Sequence, residues 1–240
     1  MRIKRLTLLL LFFALYFFPV KGCTPSFKTV MLTAKNKLSA NDGAANDHFG
    51  ISVGITGERA IVGARGEIER GRQSGAAYIF KYTGIGWMQE TKLVARVGRT
   101  NNHFGASVSI SGDRVIVGAP GDSEKGIPSG SAYVFRYNGV RWELEAKLVA
   151  RDGRARDEFG ASVSISGEGA IVGAPGDDDR GNQSGSAYVF KYTGTDWVQE
   201  VRLIVNGERR PDLHPRAVGH RANAKSHVGR TLGGNFIPIT

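Results

Sequence analysis

The chain has 240 residues, 41% of them hydrophobic, with 32 Lys or Arg against 22 Asp or Glu and one cysteine. One cysteine excludes an intrachain disulfide. The excess of ten positive charges divides into four on residues 1–22, two on 23–206 and four on 207–240. The central region is thus near neutral with signs interspersed, which excludes nucleic acid as the main partner, because no polybasic cluster stands there to neutralise phosphates.

Arg2, Lys4 and Arg5 precede an apolar run of 13 residues at 6–18. A helix of that length does not cross roughly 30 Å of hydrocarbon. Residues 1–22 therefore read as an export signal, with a short retained anchor as the alternative. Val20 and Gly22 stand three and one residues before the sole cysteine, Cys23. "VKGC" resembles a bacterial lipobox, although Lys21 departs from it. Cys23 is the candidate lipidation site; an ordinary signal with an incidental cysteine is the other reading. Export places the protein in the periplasm, on the cell surface or outside the cell. Residues 28–40 follow, containing "LTAKNKLSA", which matches the later "ETKLVA" and "EAKLVA" and predicts a lone outer strand.

From Phe49 the chain repeats itself at an interval of 55, with copies starting at Phe49, Phe104 and Phe159. In the second copy "SVSIS" alternates and "VIVGA" is apolar throughout. "SAYVFRY" sets Tyr133, Phe135 and Tyr137 against Ala132 and Val134. "RWELEAKLVA" sets Trp142, Leu144, Ala146 and Leu148 against Glu143, Glu145 and Lys147. Period-two alternation bounded by Gly-centred turns is a strand pattern. One period is then four short antiparallel strands, and repetition at this length is the pattern of propeller blades, a β-sandwich being the alternative. The predicted fold is all-β: an incomplete propeller of three four-stranded antiparallel blades at 41–95, 96–150 and 151–206. Three falls short of the ~4–8 blades with which propellers close.

These copies resemble the FG-GAP repeat, known from the propeller of integrin α chains and from secreted bacterial proteins. Phe49–Gly50 is followed by Gly63–Ala64, Phe104–Gly105 by Gly118–Ala119–Pro120, and Phe159–Gly160 by Gly173–Ala174–Pro175; Arg65 replaces the first proline. Large buried Phe, permissive Gly and strand-ending Pro give these residues a structural role. The resemblance implies non-enzymatic extracytoplasmic recognition or adhesion. The partner would be an extracellular protein or glycan, and membrane contact would come only through a lipid on Cys23. The loops at 65–74, 120–129 and 175–184 are the candidate contacts. Some integrin-type copies carry a Ca²⁺ loop between the first two strands. Here "TGE", "SGD" and "SGE" stand there, too few residues to supply six to eight oxygens. No cofactor or metal is expected. Asp177, Asp178 and Asp179 are weak metal candidates, and a solvated acidic loop is the blander reading.

His48 and His103 occupy a position where the third copy has Glu158, which reads as an exposed loop rather than a general base. His214, His220 and His227 lie in the tail, 207–240, where phase 55 places His214–Pro215 instead of Phe-Gly. This tail reads as degenerate or disordered, the echo of a decayed or truncated fourth copy. A structural remnant, or a partial propeller completed by self-association into a homo-oligomer, is therefore the rival reading.

Overall fold

Valine, isoleucine and aromatic side chains alternate with small polar ones, and glycine-centred turns end each run, so the chain forms short strands. The computed structural model describes residues 37–69, 72–96, 100–123, 125–126 and 128–204. The first blade is β1 (Ser52–Thr56), β2 (Arg59–Ala64), β3 (Ala76–Tyr82) and β4 (Trp87–Leu93). The second is β5 (Ser107–Ser111), β6 (Arg114–Ala119), β7 (Ser131–Tyr137) and β8 (Trp142–Leu148). The third is β9 (Ser162–Ser166), β10 (Gly169–Ala174), β11 (Ser186–Tyr192) and β12 (Trp197–Ile204). Each blade is a four-stranded antiparallel meander in chain order. Among the described residues there is no helix. The described residues are all-β, a partial propeller of three blades.

The core lies between blades. Ile61, Ala77, Ile79 and Leu93 of blade 1 meet Phe104, Val108, Ile110, Val117, Tyr133 and Phe135 of blade 2. Ile116, Ala132, Val134 and Leu148 of blade 2 meet Phe159, Ile165, Val172, Tyr188 and Phe190 of blade 3. Each blade therefore turns its aromatic residues, together with aliphatic ones such as Val108 and Val117, back to the preceding blade, and a face of aliphatic residues without aromatics forward to the next. The two Phe rings stand edge-on to their Tyr and Phe neighbours at centroid distances of 5.4–6.1 Å, a geometry that ring quadrupoles favour.

The outer strand departs from strict alternation. Trp142 does not share a face with Ala146 and Leu148: it packs toward blade 1, whereas they pack toward blade 3. A bulge is the cause. Val134 pairs with Ala146 but Phe135 pairs with Leu144, so the register steps past Glu145. One extra residue flips everything beyond it to the other face. The same step occurs in blades 1 and 3.

Leu38 and Ala40 pack on Val62, Ala64, Ala76, Tyr78 and Phe80 of blade 1. They stand where Leu93 and Ala95 stand against blade 2. Asn41 N donates to Gln89 Oε1 at 2.9 Å, just as Arg151 N donates to Gln199 Oε1 at 3.0 Å. Residues 37–40, the described end of the expected 28–40 strand, form no strand; residues 28–36, the expected 1–22 signal, Cys23 and the 207–240 tail with its histidines lie outside the described residues.

The repeated corner residues form the seam. His48 O accepts from Ile51 N at 3.1 Å across a turn whose third residue, Gly50, has φ +93°; Gly105 and Gly160 repeat it at +85° and +93°. Only glycine enters that region without strain. Gly105 N donates to Gly118 O within its own blade, while Gly105 O accepts from Ser52 Oγ of blade 1 at 2.9 Å. The blade 2–3 seam repeats this with Ser107 Oγ and Gly160 O at 2.8 Å. A Cβ on Gly118 would lie 2.0 Å from Gly160 O and 2.2 Å from Ser107 Oγ. A Cβ on Gly173, the same position in blade 3, would meet only Ser162, with Oγ at 2.3 Å and nothing from another blade. Gly118→Ala is therefore expected to cost more than ~3 kcal/mol, the upper range for overpacking. Gly173→Ala should cost about 1 kcal/mol, since a serine rotamer can move aside. Urea unfolding of the two variants checks the difference; equal losses would mean the seam is not what requires glycine.

Candidate functional site

The β2–β3, β6–β7 and β10–β11 loops and the crossings between blades lie at one end of the sheets, because Ser52 pairs with Gly63 and Ala77 with both Gly63 and Leu93. Each long loop is closed at its root by its own backbone. Gly75 N, Gly130 N and Gly185 N donate to the carbonyls of Glu67, Asp122 and Asp177 at 2.9, 2.8 and 2.8 Å. Ser74, Ser129 and Ser184 hydroxyls reach the same carbonyls.

Below each root lies a buried acid. Asp122 accepts from Tyr133 at 2.6 Å and pairs with Lys147 at 3.1 Å. Asp177 accepts from Tyr188 at 3.0 Å and pairs with Arg202. Glu67 pairs with Lys92 at 3.1 Å, while Glu67 Oε2 and the Tyr78 hydroxyl are buried without a partner. Acid, tyrosine and base thus recur from three different strands or loops. The recurrence of Glu67, Asp122 and Asp177 is visible in the sequence. Their partners recur at the same 55-residue interval, but nothing in one dimension links them.

This network corrects the reading of Asp177–Asp179 as a solvated loop. Asp177 is buried, and Asp179 pairs with Arg154 at 2.6 Å and Arg202 at 2.6 Å; only Asp178 is exposed. The three carboxylates do not converge. A different group does: Asp42, Glu67 and Glu69 bring oxygens within 4.8 Å of one another in blade 1. The Lys92 ammonium sits among them, 2.6 Å from Asp42, and supplies the positive charge that a metal ion would bring.

Burial pushes the Asp122 carboxyl up, but the bonds from Tyr133 and Lys147 outweigh it and leave it below the ordinary value. Burial is the largest influence on Tyr188 and raises its hydroxyl, with Asp177 adding to the rise. On Asp157 burial also wins, and the Asp177 and Asp178 charges add to it, so that carboxyl is raised.

Beside these roots a cavity of about 840 Å³ opens. Its wall takes Ile51 and Arg65 from blade 1, His103, Ala106 and Pro120 from blade 2, and Glu158 and Ala161 from blade 3. Ile51, Ala106 and Ala161 are one repeat position, and His103 and Glu158 another. The backbone just before Phe-Gly is left-handed in every copy: φ is +53° at His48, +54° at His103 and +54° at Glu158. Non-glycine residues take that conformation at a cost of order 1–3 kcal/mol, and such strain clusters at functional positions. His48 and Glu158 are exposed, as the sequence predicts. His103 is not: it is half-buried, with Nε2 3.4 Å from Gln73 Oε1. Burial and then the Arg65 charge lower its pKa, against a smaller pull from Glu158. Of the repeated corner residues, only Pro120 lines the cavity; Gly63 and Gly118 lie in the seams, Phe104 and Phe159 are fully buried, and Gly50 and Pro175 are exposed.

The FG-GAP repeat family matches residues 32–80, 87–135 and 142–190, more than half of the chain. The chain belongs to the FG-GAP repeat family. The FG-GAP matches at 87–135 and 142–190 run from the outer strand of one blade into the third strand of the next, so these sequence units span a seam, not a blade. No curated protein matches the chain. Among solved structures it is similar to Saccharomyces cerevisiae Sqt1, at 11% identity over 69% of this chain and 38% of that one, with a TM-score of 0.43. This chain spans well under half of that structure, and at that score the likeness carries no argument.

Asp122 has a folded pKa below its unfolded value. It therefore adds stability above the unfolded value, and that stability is lost as pH falls through the folded one. Lys147→Met should move the onset of acid unfolding to higher pH, followed by circular dichroism. Arg202→Met leaves Asp177 buried without its cation and should cost about 3 kcal/mol, with Asp177→Asn in the same chain recovering part of the loss. An unchanged acid onset or a neutral Arg202→Met would show these pairs to be incidental.

Proposed function

We propose that this repeat β-propeller module is a non-enzymatic recognition protein that binds an extracellular protein or glycan at the loop end of its blades. One observation carries the reading. Equivalent positions of three successive blades wall a single cavity, and its ionisable residues are not repeated: Arg65 holds the place of Pro120, and His103 that of Glu158. A rigid frame with varied residues at its loop end is how binding surfaces are commonly built. A guanidinium, an imidazole and a carboxylate beside Ile51, Ala106 and Ala161 suit a ligand with both hydroxyl or amide groups and apolar faces. The basic and apolar start of the chain supports export to the periplasm, the cell surface or the medium, and Cys23 after "VKG" supports a lipid anchor.

The purified chain is to be screened on arrays of glycans and of cell-surface ectodomains, beside an Arg65→Ala/His103→Ala/Glu158→Ala variant. Specific binding that weakens at least tenfold in the variant, with unfolding unchanged, supports the reading. Binding that persists, or no specific binding, overturns it. A ligand that uses the neutral His103 imidazole should also bind more weakly as pH falls below the ordinary histidine value, because the depressed pKa keeps the ring neutral until then.

A further inference from the structure

The two outermost blades present faces that are buried elsewhere in the same molecule. On blade 2, Val108 and Ile110 are each 8% exposed against blade 1; their blade 1 equivalents, Val53 and Ile55, are 68% and 69% exposed. On the other side, Ile116 of blade 2 is fully buried against blade 3, while its equivalent Ile171 is 39% exposed. The hydroxyls follow the same rule. Ser109 and Ser111 of blade 2 accept from Ile165 N at 3.2 Å and Gly167 N at 3.3 Å of blade 3. Their blade 3 equivalents, Ser164 and Ser166, are exposed. One end of the stack thus carries the back half of a seam, and the other end carries the front half.

We propose that the occupant of each open face is a second copy of this chain, joined head to tail, so that β1 of one copy packs on β9 and β10 of the other. Two copies then share two identical seams and together supply six blades, within the ~4–8 that close a propeller. Val53 and Ile55 meet Ile171, and the Ile55 and Gly57 amides meet the Ser164 and Ser166 hydroxyls. Leu38 and Ala40 hold on blade 1 the place that Leu203 of the second copy's β12 takes in such a seam, so one of these two segments gives way when the copies join and the axial strands carry the contact. The second copy also adds its own wall to the loop-end cavity, because His48 precedes Phe49 as His103 precedes Phe104.

One latch of the internal seams is missing from this one. Arg59 pairs with Glu90 at 2.8 Å and lies 4.2 Å over the Tyr137 ring of the next blade, whose Trp142 Nε1 donates to Glu90 at 3.2 Å. Arg114, Glu145, Tyr192 and Trp197 repeat the latch. In blade 3 Glu200 is present, but Gly169 stands in the arginine's place. A Cβ there meets only Ser166 O at 3.6 Å, so nothing blocks a side chain at its root. The seam between copies is consequently weaker than those within a copy, which suits a reversible association.

The test is sedimentation of the full chain and of variants in each face: Val53→Asp/Ile55→Asp for the head, and Ile171→Asp or Ser164→Arg for the tail. The proposal expects wild type to form pairs and each variant to lose at least tenfold in association. An equimolar mixture of a head and a tail variant should recover a one-to-one pair through the one intact seam. Gly169→Arg should tighten the pair roughly two- to fivefold, the range of a cation–π contact. A wild-type chain that stays single at every concentration overturns it, the faces then being covered by residues 1–36 or 205–240. Association that survives both sets of variants, or a mixture that fails to pair, overturns it equally. Failure here leaves the ligand reading untouched, because its measurement uses the cavity residues alone.

Discussion

The structure depends on how closely the backbone of one blade approaches the backbone of the next. Gly63 and Gly118 sit on inner-region strands where the carbonyl of the following blade's Phe-Gly glycine occupies the space of a Cβ. That approach lets Ser52 and Ser107 bond across the seam, and it brings Phe104 and Phe159 into the gap between sheets with no exposed surface. Buried aromatic area then supplies the energy, and the hydrogen bonds fix the stagger. Neither works without the other. A wider gap would leave the rings partly wet and the serine hydroxyls without acceptors.

The loop end inherits its order from this seam. The crossing that delivers Phe-Gly also holds His103 and Glu158 in left-handed turns, and the strand that ends in Gly-Ala leads directly to Arg65 or Pro120 at the cavity wall. Beneath the long loops, the Asp122–Tyr133–Lys147 and Asp177–Tyr188–Arg202 groups tie loop root to the third and fourth strands. Buried charge of this kind adds little net stability but penalises any other arrangement heavily, since breaking one partner strands the rest. Blade 1 shows the variation that such a frame accepts: Glu67, one methylene longer than aspartate, turns to Lys92 and leaves Tyr78 without the bond that its counterparts make.

Much of this was legible in one dimension. The 55-residue interval, the alternation within "SVSIS" and "SAYVFRY", and the Gly-centred turns specify strands, their order and the number of sheets, because each depends on neighbours in sequence. The outer strand was legible only in part. "WELEAKL" alternates cleanly, yet the bulge at Glu145 sends Trp142 and Leu148 to opposite sides. A bulge answers to the twist of the partner strand, which the alternation does not record. The acidic loops were legible least. Asp177 reads as one of three solvated aspartates until Tyr188 and Arg202, from β11 and β12, are brought to it.

By itself the sequence determined that this protein is a stack of like antiparallel sheets. That outcome follows from local periodicity, and local periodicity is written in neighbouring residues. The tertiary structure alone decided which side of each sheet looks forward, how the Phe-Gly and Gly-Ala corners close across the seams, and that His103, Arg65 and Glu158 from three blades share one wall. Those facts are distances between residues about fifty positions apart. They exist only once the sheets have stacked and the glycines have let the backbones close.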